Sequence, residues 1–163
     1  MGRVAGDDLD NYIYALEDIS RNIGREVDKI IPTLAGNFVL KPLKLRLWRQ
    51  GIDGDGKKIG DGKYSPQTIR DKKRLGLKTS PITLHHKGDF YDSMSVKSSK
   101  GQILVSINPS AKNEPKKSNE LLAKYGEAIL MLTQREQEIL AEKIVEQLKI
   151  KINSVKFPKI KFT

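Results

Sequence analysis

The sequence predicts an α+β fold: long N-terminal helices and a C-terminal helix around a small antiparallel β-sheet, with a long basic loop mid-chain. Three observations predict it. Apolar residues recur at intervals of three and four between positions 9 and 30, the period of one helix face. Ile103, Val105 and Ile107 alternate along the chain, the period of a strand. Thr133-Gln134-Arg135-Glu136 is a capping box, followed by Ile139, Leu140, Ile144, Val145 and Leu148 on one helical face.

Taken in order, residues 1–7 have no pattern and are expected to form a mobile arm. Asp7 or Asp8 caps the first helix, whose apolar positions are Leu9, Tyr12, Ile13, Leu16, Ile19, Ile23, Val27 and Ile30. The stripe lies close to a heptad seam, yet burial as a core helix is expected over a coiled coil. Gly24 weakens this helix by about 1 kcal/mol relative to alanine. Pro32 suits the first turn of a second helix, carried by Leu34, Phe38, Val39, Leu43 and Leu47. Pro42 should kink or break it. Lys41, Lys44, Arg46 and Arg49 surround its apolar face and are expected to solvate it.

The stretch from Leu47 to Ser93 is too polar to be a core, and within it residues 51–81 form the central loop. Its Asp-Gly pairs are turn formers. Within it Ser65 caps and Pro66 opens a short helix that runs through Thr68, Ile69 and Lys72 and stops near Gly76. Residues 81–84 are expected to be extended. Residues 90–96 and 102–107 are the two strands, turned by Ser98-Ser99-Lys100-Gly101. Residues 108–119 are a polar, lysine-rich loop. Residues 121–131 start helical and become extended at Gly126. The tail, residues 151–163, alternates Val155, Phe157, Ile160 and Phe162 with lysines. It is expected to add a strand to a neighbour or to lie along DNA.

Length and composition set outer bounds. A chain of 163 residues makes one domain with a real core, here residues 1–150 with the tail appended. There is no cysteine, which excludes disulfides, thiol catalysis and Cys-ligated zinc. The first residues lack an apolar core, so no signal peptide is expected, and no apolar run suits a membrane span. The net charge of +10 is uneven. Residues 1–40 carry 4 Lys/Arg against 7 Asp/Glu, residues 41–101 carry 15 against 6, and residues 102–163 carry 11 against 7. The basic residues of the central loop are Lys57, Lys58, Lys63, Arg70, Lys72, Lys73, Arg74 and Lys78, against Asp61 and Asp71 alone between positions 57 and 78. A polyanion or an acidic protein surface is the expected partner, the protein surface being favoured because Tyr64, Pro66 and Ile69 offer apolar anchors; a surface that only keeps the chain soluble is the alternative.

No catalytic site is expected, nor a metal or other cofactor. Asp53, Asp55 and Asp61 invite a calcium reading, but Lys58 stands where an EF-hand needs glycine and Tyr64 where it needs glutamate. His85 and His86 are adjacent, so on a strand they point to opposite faces and share no ligand; a surface pair is expected. Neither a Walker loop nor a Ser/His/Asp set is present. A nuclease would need clustered carboxylates, whereas lysines interleave with Asp53, Asp55 and Asp61.

The order of residues between positions 47 and 93 carries one more signal. Leu47-Trp48 closes an apolar helix, and a Gly/Asp turn follows. Tyr64-Ser65-Pro66 with Thr68 comes next, then the run with Lys72 and Lys73, then Gly88-Asp89-Phe90 and Ser93. This order resembles the virion-morphogenesis family of tailed phages, the tail-completion or head–tail joining proteins. Tyr64 and Phe90 stand where that family has aliphatic residues, and Lys87 where it has threonine. The segment with Tyr125-Gly126, an expected apolar strand at 129–132 and an acidic-start helix extends the resemblance. It implies a helix packed on a small antiparallel sheet and a homo-oligomeric ring around a DNA channel, on portal, neck or tail proteins. The implied location is the virion neck, after assembly in the host cytoplasm. A non-specific nucleic-acid-binding protein is the alternative, and a metal-dependent nuclease a weaker one.

Overall fold

The computed structural model describes residues 5–85, 88–107 and 115–155. Its architecture is α+β, mostly helical with one small antiparallel sheet. The N-terminal half is built on a helical rod: α1 (Ala5–Arg21), α2 (Ile23–Leu34), a π-helical turn (Ala35–Leu40) and α3 (Lys41–Arg49). The α1–α2 junction lies at Asn22, and the hydrogen-bond ladder crosses it from Asn22 N–H to the Asp18 carbonyl and from Glu26 N–H to the Asn22 carbonyl. α1 therefore prolongs α2 instead of folding back along it.

Pro32 starts no helix; it sits inside the last turn of α2. Pro42 interrupts the ladder as expected, but by a different route. Proline has no N–H to give and its ring crowds the carbonyl four residues back. The chain widens the preceding turn, with the Lys41 N–H reaching back five residues to the Gly36 carbonyl, and so bends without breaking.

The core gathers Leu34, Val39, Leu43 and Leu47 from the rod with Leu140 of α7 (Gln134–Ser154). Ile129, Leu130 and Leu132 join from a 3-10 turn (Glu127–Leu130) and the segment after it. The stretch expected to be too polar for a core supplies Ile59, Ile82, Leu84, Phe90 and Tyr91 to it. Few but regularly placed apolar residues suffice there, because the polar residues between them make turns at the surface. By contrast α1, expected as a core helix, contributes no side chain to the core or its margin among the described residues.

The hairpin is β1 (Met94–Ser99) with β2 (Gln102–Ile107), from Met94 opposite Ile107 to Ser99 opposite Gln102. Its turn is only Lys100-Gly101, both at positive φ, 52° and 75°. Two such residues make the tight turn whose twist matches paired strands. The tight turn lets the first strand run on to Ser99, past the expected end at position 96, while its start moves from position 90 to Met94. Phe90 lies on a one-turn helix, α5 (Asp89–Asp92), with Gly88 at φ 97° before it. α6 (Pro115–Tyr125) takes residues 115–119 from the expected loop. Residues 129–132, expected as a strand, are 3-10 and then extended, without a strand partner among the described residues. α7 runs to Ser154, so the start of the expected tail is its last turn, where Lys151 pairs with buried Glu26 of α2. Phe157, Ile160 and Phe162 lie outside the described residues.

Asp28 fastens the rod to the hairpin. Its carboxylate accepts from Ser98 Oγ at 2.7 Å and from the Gly101 N–H at 3.0 Å. These two bonds, the Ser98 one larger, hold its pKa below the ordinary 3.8. A depressed carboxylate stabilises the fold fully above its unfolded pKa and loses that contribution as pH falls through the folded value. The Gly101 amide resonance should therefore titrate below pH 3.8, and Asp28→Asn should abolish that titration. A resonance that is flat with pH in the wild-type chain would show the contact absent.

Candidate functional site

α4 (Pro66–Arg74) forms as its chemistry dictates. Ser65 Oγ accepts the Thr68 N–H, and Pro66 fills the first helical position. At 100° per residue, Arg70, Lys73 and Arg74 fall on one face, and all three are exposed. Leu75, 51% exposed, follows α4 as its C-cap residue and lies off that face. Lys57, Lys58, Lys63 and Lys78 are exposed as well.

Lys72 is the exception among the eight expected basic site residues. It is 3% exposed, donates to the His85 carbonyl at 2.5 Å, and lies 4.9 Å above the Tyr64 ring. Position 72 is on the inner side of α4, so its charge holds the helix down instead of facing a partner. Tyr64, expected to anchor a partner, is also turned inward. Its Oη accepts the Thr83 N–H at 2.9 Å. Thr83 is fully buried, and its carbonyl accepts from Tyr91 Oη. Burial, with Tyr64 adding to it, pushes the Tyr91 phenol well above its ordinary pKa of 10. Tyr91 therefore remains a neutral donor at neutral pH and is no candidate for a base.

The other motif residues have structural tasks too. Leu47 is fully buried and Phe90 nearly so. Ser93 Oγ donates to the Phe90 carbonyl at 2.8 Å, closing α5. His85, expected at a surface strand, is half-buried off any strand. Its ring meets Trp48 edge-on at 4.5 Å and lies 5.7 Å from Tyr91. His86 and Lys87 lie outside the described residues.

Arg46 was expected to face solvent. It is 6% exposed and makes four hydrogen bonds. Nε reaches both Glu136 oxygens at 3.1 and 3.2 Å, and the two terminal nitrogens donate to the Ile52 and Met131 carbonyls at 2.9 and 2.6 Å. Glu136 also accepts the Thr133 N–H at 2.8 Å, which completes the capping box of α7. One guanidinium thus ties together the end of the rod, the central loop and the start of α7. The loop aspartates act as turn formers: Asp53 Oδ1 accepts the N–H groups of Asp55 and Lys57. Among the described residues no three His, Asp or Glu side chains gather as a metal site would need, and no helix is long and apolar enough to cross a membrane.

Two grooves flank this framework. One, of about 560 Å³, is lined by Leu40, Leu45, Trp48 and Tyr91, with Lys41 and Lys44 among its walls and Lys78 lying 5.4 Å from the Trp48 ring. The other, of about 770 Å³, lies between β2 and the Leu130–Ile144 region, lined by Ile103, Val105, Leu132 and Ile144 with Glu127. The first was legible in one residue. Leu45 stands between Lys44 and Arg46, off the Leu43–Leu47 face, and is 42% exposed.

No protein-family model, curated protein or solved structure matches this chain.

Proposed function

We propose that this chain is a structural, non-enzymatic virion protein of a tailed bacteriophage. It forms a homo-oligomeric ring in the neck that joins the DNA-filled head to the tail. The observation that carries the proposal is the ordered motif from Leu47 to Ser93. Leu47, Tyr64 and Phe90 share one core, and this framework presents the face of Arg70, Lys73 and Arg74. In a ring that face repeats by symmetry into a positive belt. It grips an acidic adjoining ring, because exposed Pro66 on that face and exposed Leu75 just past the end of α4 give the segment apolar anchors that a surface sliding over DNA does not need. A channel that lets DNA pass also avoids tight phosphate contacts.

The same charged face supports a second reading, a free protein that binds nucleic acid through phosphates alone. Gold labelling of purified particles separates the two. A neck subunit places label at the head–tail junction. Label absent from particles that survive high-salt washing would reject the neck role and leave the DNA-binding one.

A further inference from the structure

We propose that α1 of one copy docks into the lysine-lined groove of α3 on a second copy. The occupant being another copy rests on the ring reading above; the fit rests on the two surfaces themselves.

α1 is a helix of 17 residues, about 25 Å long, that packs on no part of the core. Its apolar residues are not scattered. Leu9, Ile13, Leu16 and Ile23 fall within about 80° of one another on the helical wheel, the last lying just past Asn22. Leu9, Ile13 and Ile23 are exposed and Leu16 half-exposed. Asp10 and Glu17 border this stripe on one side. Glu17 is held only by an exposed pair with Arg21, which is weak and easily exchanged. Over its length α1 carries five Asp/Glu and one Arg, in a chain whose net charge is +10.

An acidic, amphipathic helix fits an apolar groove with basic walls. The α3 groove has an apolar floor of Leu40, Leu45, Trp48 and Tyr91, with Lys41 and Lys44 lining it. The groove beside β2 has no lysine among its lining residues and includes Glu127, so it would repel the same helix. The α3 groove of its own chain is a poor destination for α1. The two are joined by α2, and the ladder through Asn22 directs α1 onward from α2. A helix of one copy in a groove of the next is a head-to-tail contact, the kind that generates a ring when the rotation closes.

The chain has no cysteine, so a cross-linking test is clean. Full-length Ile13→Cys and Leu45→Cys chains, each with one cysteine, are mixed and oxidised while light scattering follows assembly. The expected result is a mixed disulfide dimer. Lys41→Glu with Lys44→Glu should lower its yield at least tenfold, and Asp10→Lys with Glu17→Lys on the other chain should restore it. All four charged positions are on exposed or half-exposed turns, and circular dichroism checks that each variant folds. Assembly without the cross-link, or a cross-link indifferent to the lysine reversals, would overturn the α1 contact and leave the ring standing. A chain that stays monomeric at every concentration would overturn it as well, leaving junction labelling to decide the neck role. Duplex DNA retained by the wild type and lost with the lysine reversals, the cross-link being unchanged, would assign the lysines to a polyanion and overturn the contact.

Discussion

Arg46→Ala is expected to cost about 3–5 kcal/mol of stability, because it leaves the Glu136 carboxylate partly buried without its cation. For a domain of this size that is a fall in Tm of about 10 °C or more. Arg46 is 5% and Glu136 13% exposed at the side chain, so water cannot fully replace the lost partner. The Ile52 and Met131 carbonyls lose donors in the same change. Arg46→Lys should be intermediate, since an ammonium keeps the charge but cannot span three acceptors with a rigid fork. Arg46→Met combined with Glu136→Gln should recover part of the loss. Glutamine still closes the capping box, and no charge is left unpaired. Thermal and urea unfolding measure all three. A loss below about 1 kcal/mol for Arg46→Ala would show that the guanidinium is not the tie described.

Reversal of the α4 face, Arg70→Glu with Lys73→Glu and Arg74→Glu, is expected to abolish docking to the adjacent ring, weakening it at least about a hundredfold. The change replaces three exposed cations by three anions, which the acidic surface proposed for the adjoining ring would repel. Its cost to the isolated chain is small, about 1–2 kcal/mol, because what is lost is the favourable charge at the C-terminal end of α4 and two exposed contacts, Arg70 to Gln67 and Arg74 to Asp71. Lys72 must be left alone in this experiment. Its ammonium is bonded to the His85 carbonyl and stacked on Tyr64, so Lys72→Glu would unfold the site and mimic a docking defect. Binding to the purified partner ring, with melting recorded for each variant, separates the two effects. If the triple variant still docks but DNA retention or ejection changes, the face lines the channel instead.

These two predictions show where the sequence was legible and where it was not. Local chemistry was readable. The capping box at Thr133, the Ser65-Pro66 helix start and the positive φ of Gly101 in the hairpin turn depend on neighbours within a few residues, and each formed as expected, though the turn is two residues and not the four expected. Long-range pairing was not. Arg46 looks like a solvating residue until Glu136, ninety residues away, is brought beside it. Lys72 is one of four basic residues within five positions, and only the packing of α4 tells it from Lys73. Tyr64 looked like an exposed anchor because its partner, the Thr83 amide, is nineteen positions away. α1 failed in the opposite sense. Its periodicity is that of a buried helix, but among the described residues its Leu9 and Ile13 stay exposed, and periodicity names a face without naming what lies against it. The motif residues were located by their order; their tasks in the core became visible only with the fold.

The proposed role in joining head to tail is tested most directly by electron microscopy of particles assembled without this chain. The expected result is filled heads and finished tails unjoined, or heads that have leaked their DNA. Normal, infectious, joined particles would contradict it.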